Sequence, residues 1–143
     1  MVRLLVTLLT CLVPVAVIAA DIGQVKKLRG DVRVVRDAVE RPIKLGEWVQ
    51  QSDTIRTGAK SRVGITFIDN SRFSAGPNTN LSLQRFRFNA TTHEGEFFAK
   101  LQKGTIAVTS GQLAKRSGKQ MRIYTPSSVL GVRGTRFLVQ VGD

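Results

Sequence analysis

The sequence predicts an all-β domain of many short strands, and three observations support that prediction. Apolar residues come in short bursts that alternate with polar or small residues, as Val63, Ile65 and Phe67 do, and this is the period of a half-buried strand. Gly, Pro, Asn and Asp residues recur between the bursts as turn signals. No window sustains an apolar stripe at helical spacing through three turns, which argues against a helix bundle or a doubly wound α/β sheet.

Residues 1–20 have the layout of a secretory signal peptide. Arg3 is the one early cation, and the apolar run over residues 4–18 is followed by Ala19 and Ala20. We expect cleavage after one of these alanines. The alternative is a retained anchor, but the apolar run is shorter than the ~18 residues expected of a spanning helix. No stable membrane span is therefore expected after cleavage.

Residues 21–143 are expected to form a single domain. The one cysteine, Cys11, lies in the leader, so the remaining chain has no disulfide framework, thiol nucleophile or cysteine metal site. Those residues hold all ten carboxylates and 21 of the 22 Lys and Arg residues, which gives a net charge of +11. Outside the cytoplasm this charge favours anionic envelope polymers or lipid head groups as neighbours, although an ordinary solvated basic surface has the same composition.

Short strands and tight turns follow one another along residues 21–83. Val32 and Val34 share one strand face, and residues 62–67 form a second alternating strand. Residues 69–71 are expected to form a tight turn in which Asn70 adopts the left-handed conformation. A hairpin follows from that turn, and residues 76–79 predict the next reversal.

The strand after this reversal contains a change of parity. Leu81 and Leu83 share one parity, whereas Phe86 and Phe88 share the other. A β-bulge near Gln84 and Arg85 would let both pairs face the core. Without the bulge, large side chains would be exposed at a cost of about 1.5–3 kcal/mol each.

The last third of the chain contains a basic segment and a turn-rich strand. Residues 115–119 are the most basic segment and are expected to form an exposed hairpin or loop tip. Pro126 ends the preceding strand, and glycines at 131 and 134 mark tight backbone features. Phe137, Val139 and Val141 then fall on one face of a final strand.

Four segments taken in order carry a family resemblance: residues 23–34, 52–58, 67–71 and 125–137. With these segments, residues 21–143 resemble the FecR domain family, an exported β-rich domain known from iron-citrate sigma-factor regulators and other bacterial envelope proteins. The motif positions are Asp53, Arg56, Thr57, Gly58, Asp69, Asn70, Pro126, Val132, Arg133, Gly134 and Thr135.

The resemblance implies an all-β domain of short strands wound as a small solenoid-like roll, and the strand pattern alone also permits a β-sandwich. Ser52 and Asn70 stand where the family often has glycine, but the adjacent turn aspartates are kept. Relatives that transmit a signal resemble an anti-sigma segment and a transmembrane helix followed by this domain. This chain combines a signal peptide with the domain, so a direct anti-sigma role is not expected.

The sequence contains no constellation typical of catalysis. His93 is the single histidine and lies in a polar loop, so neither a typical zinc site nor a catalytic triad can be assembled around it. Asp53 and Asp69 each occupy a turn that favours aspartate for structural reasons. We expect no enzyme activity, no metal and no cofactor.

Cationic residues are the one set with binding potential. If they share a face, they would form a patch for phosphate or carboxylate polymers. Separate solvated faces are the alternative, because strand parity cannot place different strands side by side. Nucleic acid is not expected, since aromatic stacking platforms among the cations are few. The set comprises Arg33, Arg85, Arg87, Lys115, Arg116, Lys119 and Arg122.

Arg133 is a separate hypothesis. Its position between two glycines suggests that it folds inward and pairs with Asp53 or Asp69. Such a buried pair would fix the motif, and breaking it would cost several kcal/mol.

The sequence as a whole favours a non-enzymatic periplasmic or secreted domain that binds a protein partner or an envelope ligand, in envelope signalling or surface assembly. The alternative is a basic-surface binder of lipopolysaccharide or acidic glycan. A hydrolase is the least supported function, because no nucleophile and base can be paired.

Overall fold

The computed structural model describes residues 11–15, 18–116, 120–133 and 136–142. Within these residues the chain forms twelve strands and one short helix. The strands are β1 (Asp21–Arg29), β2 (Val32–Arg36), β3 (Val39–Pro42), β4 (Trp48–Gln50), β5 (Thr54–Thr57), β6 (Arg62–Phe67), β7 (Arg72–Ala75), β8 (Asn80–Phe88), β9 (Gly95–Thr109), β10 (Met121–Tyr124), β11 (Val129–Gly131) and β12 (Arg136–Val141). The helix α1 (Gln112–Arg116) lies between β9 and β10.

The strands form one continuous sheet with two halves that share β9. Half-sheet 1 consists of β3, β2, β5, β8, residues 95–103 of β9, β10 and β11. Half-sheet 2 consists of β4, β1, β6, β7, residues 104–109 of β9 and β12. The sheet curls into an open half-barrel, which confirms the predicted all-β class and roll-like arrangement.

The passage of β9 from one half to the other occurs at Gly104. Its φ is +95°, a conformation that L side chains rarely adopt. A Cβ there would lie 2.3 Å from the Thr79 hydroxyl oxygen and 2.4 Å from the Thr79 Cα. The Thr79 hydroxyl accepts a hydrogen bond from the amide of Thr105 at 3.1 Å. Glycine is therefore required where the strand changes partners.

The core lies between the inner faces of the two half-sheets. Phe97 of β9 is fully buried, and its ring centroid lies 4.8 Å from Phe67 and 5.0 Å from each of Phe73 and Phe86. Phe67 and Phe73 come from half-sheet 2, whereas Phe86 and Phe97 come from half-sheet 1. These edge-to-face contacts join the two halves through one aromatic cluster.

The predicted bulge in β8 is confirmed. The pairing with β9 shifts between Leu83 and Arg85, so that Gln84 is the extra residue. Leu81, Leu83 and Phe86 are all buried as a result. The two parities of the sequence therefore reach the same core, as expected of a bulged strand.

The predicted hairpin at residues 69–71 is also confirmed. Asn70 has φ +68°, the left-handed conformation, and its amide donates to the carbonyl of Phe67 at 2.9 Å. β6 and β7 pair antiparallel on either side of this turn. The final strand keeps its predicted alternation too, with Val139 buried, Phe137 and Val141 half-buried and the intervening residues exposed.

The expected loop at residues 115–119 is wrong at its beginning, where Lys115 and Arg116 end the helix α1. Residues 117–119 lie outside the described part of the chain. The helix begins because its first amides find acceptors: Gln112 donates to the Asp69 carbonyl at 2.8 Å and Leu113 to the Asp69 carboxylate at 3.4 Å. Burial of Leu113 and Ala114 then holds it on the core, a tertiary effect that strand periodicity does not reveal.

Residues 1–20, the predicted signal peptide, are only partly described. Residues 11–15 and 18–20 carry no regular secondary structure and are exposed. Among the described residues, no helix is long and apolar enough to cross a membrane. Signal cleavage at Ala19 or Ala20 stays a prediction.

Replacing Phe97 with alanine should destabilise the domain by about 3–5 kcal/mol, because it empties the centre of the aromatic cluster. The neighbouring Phe98 lies half-buried on the outer face of the same strand, so Phe98→Ala should cost only about 1 kcal/mol. Urea unfolding of both variants measures this difference. Equal losses would contradict the assignment of these residues to opposite faces.

Candidate functional site

Asp53 of the family motif is buried and forms an ion pair with the partly exposed Arg36. The carboxylate is 1% exposed and accepts from the Arg36 guanidinium at 2.8 Å (Nε) and 2.7 Å (Nη2). The backbone amide of Gln50 donates to the same carboxylate at 2.8 Å. The hydrogen bond to Asp53 raises the pKa of Arg36. This bidentate geometry ties the end of β2 to the turn between β4 and β5.

Asp69 organises a second buried turn. Its carboxylate accepts from the Ser71 hydroxyl at 2.6 Å and the Ser71 amide at 3.0 Å. The Ser71 hydroxyl oxygen accepts from the Gly111 amide at 3.1 Å. A Cβ on Gly111 would lie 2.2 Å from the Asp69 carbonyl oxygen, so this approach requires glycine. Together with the caps of α1, these contacts make Asp69 structural.

The Arg133 hypothesis is wrong. Arg133 is exposed, and both of its proposed partners are occupied: Asp53 by Arg36, and Asp69 by Ser71 and the start of α1. Arg36 was missed because it lies outside the motif segments. Its alignment with Asp53 depends on the pairing of β2 with β5, which the sequence alone does not specify.

The other motif residues occupy turns and strand ends. The Thr57 hydroxyl donates to the Gly76 carbonyl at 2.6 Å and accepts from the Thr79 amide at 2.9 Å. Gly58 donates its amide to the carbonyl of Asp31 at 2.9 Å. Arg56 is exposed and pairs with Glu40 at 3.3 Å.

The last motif segment has one buried position among the described residues. Val132 is 3% exposed, and its amide donates to the Met121 carbonyl at 3.0 Å. Pro126 lies in an exposed turn. Gly134 and Thr135 lie outside the described residues.

The structure brings together three members of the predicted cationic patch, but with an acid among them. Arg85 and Arg87 on β8 both pair with Glu96 of β9, at 3.1 and 2.8 Å. The guanidinium carbon atoms of Arg85 and Arg122 lie 5.9 and 5.8 Å from the ring centroid of Phe98. These cations are therefore partly neutralised or stacked on an aromatic ring.

Arg33 lies apart on β2 and pairs with Asp31 at 3.2 Å. The side chains of Lys115 and Arg116 are not among those described, and Lys119 lies outside the described residues. Binding of a polyanion by the predicted patch stays a prediction, and its geometry is that of a mixed surface.

A different basic surface lies on the outer face of half-sheet 2. Six exposed cations lie there, and none of them forms an ion pair within the described part of the chain. We call this surface the basic face. It comprises Lys26, Lys27, Arg29, Arg62, Arg72 and Arg136.

Three shallow hollows run into one another across the basic face. The first lies over β1 and β6, the second extends over β6, β7 and β9, and the third lies between β9 and β12; their volumes are about 320, 200 and 480 Å³. The first two share Lys27, Gly64 and Ser74. The second and third share Ala107 and Thr109. The three hollows are therefore neighbours, and apart from Lys27 the residues they share have small side chains; we call the three together the trough.

No carboxylate is among the described residues that line the trough. Arg29 and Arg62 are direct cross-strand partners on β1 and β6, an arrangement of like charges that is unfavourable without a counter-ion. Such a surface attracts and can hold anions. Sequence reasoning missed it because its cations come from four strands, and only the sheet order places them together.

The described residues offer no metal site. Among them there is no group of three or more His, Cys, Asp or Glu side chains that could hold an ion. His93 instead stacks on Phe88, with the ring centroids 6.1 Å apart.

A comparison with family models bears on the motif residues. The family model described as FecR protein matches residues 53–143. A search of the curated proteins finds no match. A solved structure titled "Cell surface anchoring domain" is 32% identical over 43% of this chain and 82% of that chain, with a TM-score of 0.42. On the match to the family model, this chain belongs to the FecR family.

Replacing Arg36 with alanine should destabilise the domain by about 2–3 kcal/mol. The loss leaves the Asp53 carboxylate buried without its charge partner, and the partial exposure of Arg36 keeps the cost below that of a fully buried pair. Arg133→Ala should change the free energy of unfolding by less than about 0.5 kcal/mol, as at other exposed sites. Urea unfolding separates the two variants, and the reverse order would restore Arg133 as the motif's partner.

Proposed function

We propose that this domain is a non-enzymatic module of the bacterial cell envelope that binds an anionic envelope polymer on its basic face. The observation that supports this function most directly is the set of six exposed cations around one trough without a carboxylate. Membership of the FecR family supports a binding role in the envelope. The predicted export signal agrees with that location.

Several exposed arginines of half-sheet 1 differ from the cations of the basic face in having acidic partners. Arg33, Arg56, Arg85 and Arg87 on half-sheet 1 each have an acidic partner. A polyanion that contacts those cations must displace an existing carboxylate. On the basic face it meets guanidinium and ammonium groups that form no ion pair within the described part of the chain. Binding there displaces no carboxylate, so the polyanion gains more Coulomb energy.

A protein partner is the second candidate, and the free edge of β12 is the observation that favours it. Among the described residues, β12 pairs only with β9, and Leu138 is 66% exposed at its outer surface. An unpaired strand edge can accept an additional strand from another chain. Such a partner would give the domain a role in envelope signalling or surface assembly.

The first candidate is tested by measuring binding to lipopolysaccharide and to alginate as the salt concentration rises. The double variant Arg62→Ala/Arg72→Ala should bind at least tenfold more weakly, a loss of about 1.4 kcal/mol. The matched control Arg85→Ala/Arg87→Ala removes the same charge from half-sheet 1 and should bind within twofold of the wild type. Salt should weaken wild-type binding steeply, because exposed charges are screened.

Equal losses in the two double variants would mean that net charge alone drives the binding, and would overturn the assignment to the basic face. Binding that is absent at low salt for both polymers would reject the first candidate. In that event, the β12 edge is tested by substituting Val139 or Leu138 with proline in a pull-down from an envelope extract.

A further inference from the structure

We propose that the ligand of the basic face is a linear chain of carboxylated sugars, and that it lies across the strands of half-sheet 2, from Trp48 toward Arg136. This inference rests on the proposed function and adds the class and direction of the polymer. It follows from the register of six neighbouring strands, the shape of the trough and the chemistry of the side chains on its two sides, which we call its banks.

The register places one row of outward-facing residues across the whole half-sheet. The row begins at Trp48 on β4 and passes through Gln24 and Thr66, which pair in turn. It continues through Arg72 and Thr109 to Arg136 on β12. Five inter-strand steps separate its ends, a span of about 24 Å.

A parallel row supplies the floor of the trough. Lys27, Gly64, Ser74 and Ala107 are successive cross-strand partners from β1 to β9. The side chain of Lys27 lies close to Gly64: a Cβ added to Gly64 would lie 3.2 Å from the Cβ of Lys27. The floor is therefore low from Gly64 through Ser74 to Ala107, between Lys27 at one end and Leu138, the partner of Ala107 on β12, at the other.

The two banks of the trough direct a polymer across the strands. Arg72 and Arg136 stand on one side of the floor, and Arg29 and Arg62 stand on the other. A chain that ran along a strand would cross a bank within two or three residues. A chain that ran across the strands would pass Arg29 and Arg62 on one side at β1 and β6, and then Arg72 and Arg136 on the other side at β7 and β12.

The groups on the banks match a carboxylated sugar chain. One sugar in an extended chain is close in length to one inter-strand spacing, so Arg72 and Arg136, two strands apart, can meet alternate sugars. Their planar guanidinium groups suit bidentate binding of carboxylates. Ser74, Thr66 and Thr109 offer hydroxyl groups to sugar hydroxyls, and the exposed indole of Trp48 offers a flat apolar surface to a sugar ring.

A lipid surface fits this face less well. Among the residues that line the trough, Leu138 is the only large apolar side chain that is strongly exposed. Membrane binding through a flat face requires apolar side chains that enter the boundary region. The cations could still contact lipid phosphates, so anionic vesicles are the competing ligand in the test.

The test measures the dissociation constants of purified oligoguluronates of two to eight sugars, alongside vesicles of anionic phospholipid. Trp48 is the only tryptophan of the chain, and it ends the outward-facing row on β4, beyond the residues that line the trough, so its fluorescence reports whether a bound chain extends that far. Affinity should rise at least tenfold up to about five sugars, the number of inter-strand steps, and then level off. Only the longer oligomers should change the Trp48 fluorescence by more than a few per cent.

Two variants of Ala107, which is exposed on the trough floor, separate shape from charge. Ala107→Phe fills the trough without changing the charge and should weaken binding of the hexamer at least tenfold. Ala107→Ser is the matched control and should bind within twofold of the wild type. Thermal unfolding checks that both variants are folded.

The possible outcomes separately test the placement of the glycan, the class of ligand and the proposed function. An affinity that does not depend on length, or a hexamer that binds Ala107→Phe as well as Ala107→Ser, overturns the lengthwise placement of a glycan. Vesicles that bind more tightly than the hexamer, with the same loss in Arg62→Ala/Arg72→Ala, overturn the glycan and leave the basic face as a general anion site. If Arg62→Ala/Arg72→Ala and Arg85→Ala/Arg87→Ala weaken binding equally, the proposed function itself is overturned.

Discussion

The close approach of Gly104 to Thr79 is the constraint on which the rest of the architecture depends. It is the point at which β9 leaves β8 and β10 and enters the space between β7 and β12. A side chain at position 104 would push β9 away from Thr79, the residue before β8, by more than the hydrogen bond between Thr105 and Thr79 allows. Because β9 stays continuous through this point, both half-sheets close over a single core that is centred on Phe97.

The same geometry gives the domain two outer surfaces with different electrostatics. On half-sheet 1, acids lie next to arginines, as Glu96 does beside Arg85 and Arg87. On half-sheet 2 the cations face hydroxyl-bearing and small residues. A surface of mixed sign is typical of a solvated face, whereas a surface of one sign around a depression is typical of a binding face.

Much of the local structure could be predicted from the sequence, because it depends on neighbouring residues. The bulge at Gln84 follows from a change of parity, and the turn at Asn70 follows from the tolerance of asparagine for the left-handed conformation. The local sequence also indicates the turns at the two motif aspartates: Asp69 lies in the turn between β6 and β7, and Asp53 follows the turn between β4 and β5. The partner of Asp53 was not found, since Arg36 reaches it only after β2 and β5 have paired.

The candidate site could not be predicted from the sequence, because its residues come from strands whose order in the sheet the sequence does not specify. Strand parity shows that Arg62 and Arg72 point outward, but not that β1, β6, β7, β9 and β12 are neighbours in that order. The patch predicted from the sequence included Arg85 and Arg87 but not Glu96, the acid on the neighbouring strand that pairs with both. Short-range patterns give the face of a residue, and only the long-range pairing gives its neighbours.

The cross-strand pair of Arg29 and Arg62 also has a thermodynamic consequence for the folded state. Six like charges held on one side of a small sheet repel one another, and unfolding relieves that repulsion. A polyanion that binds only the folded chain removes the repulsion and adds binding energy, about 2.7 kcal/mol at a hundred times its dissociation constant. If the basic face binds such a polymer, as proposed, the stability of the domain is coupled to the concentration of that polymer, and the domain is most stable where the polymer is abundant.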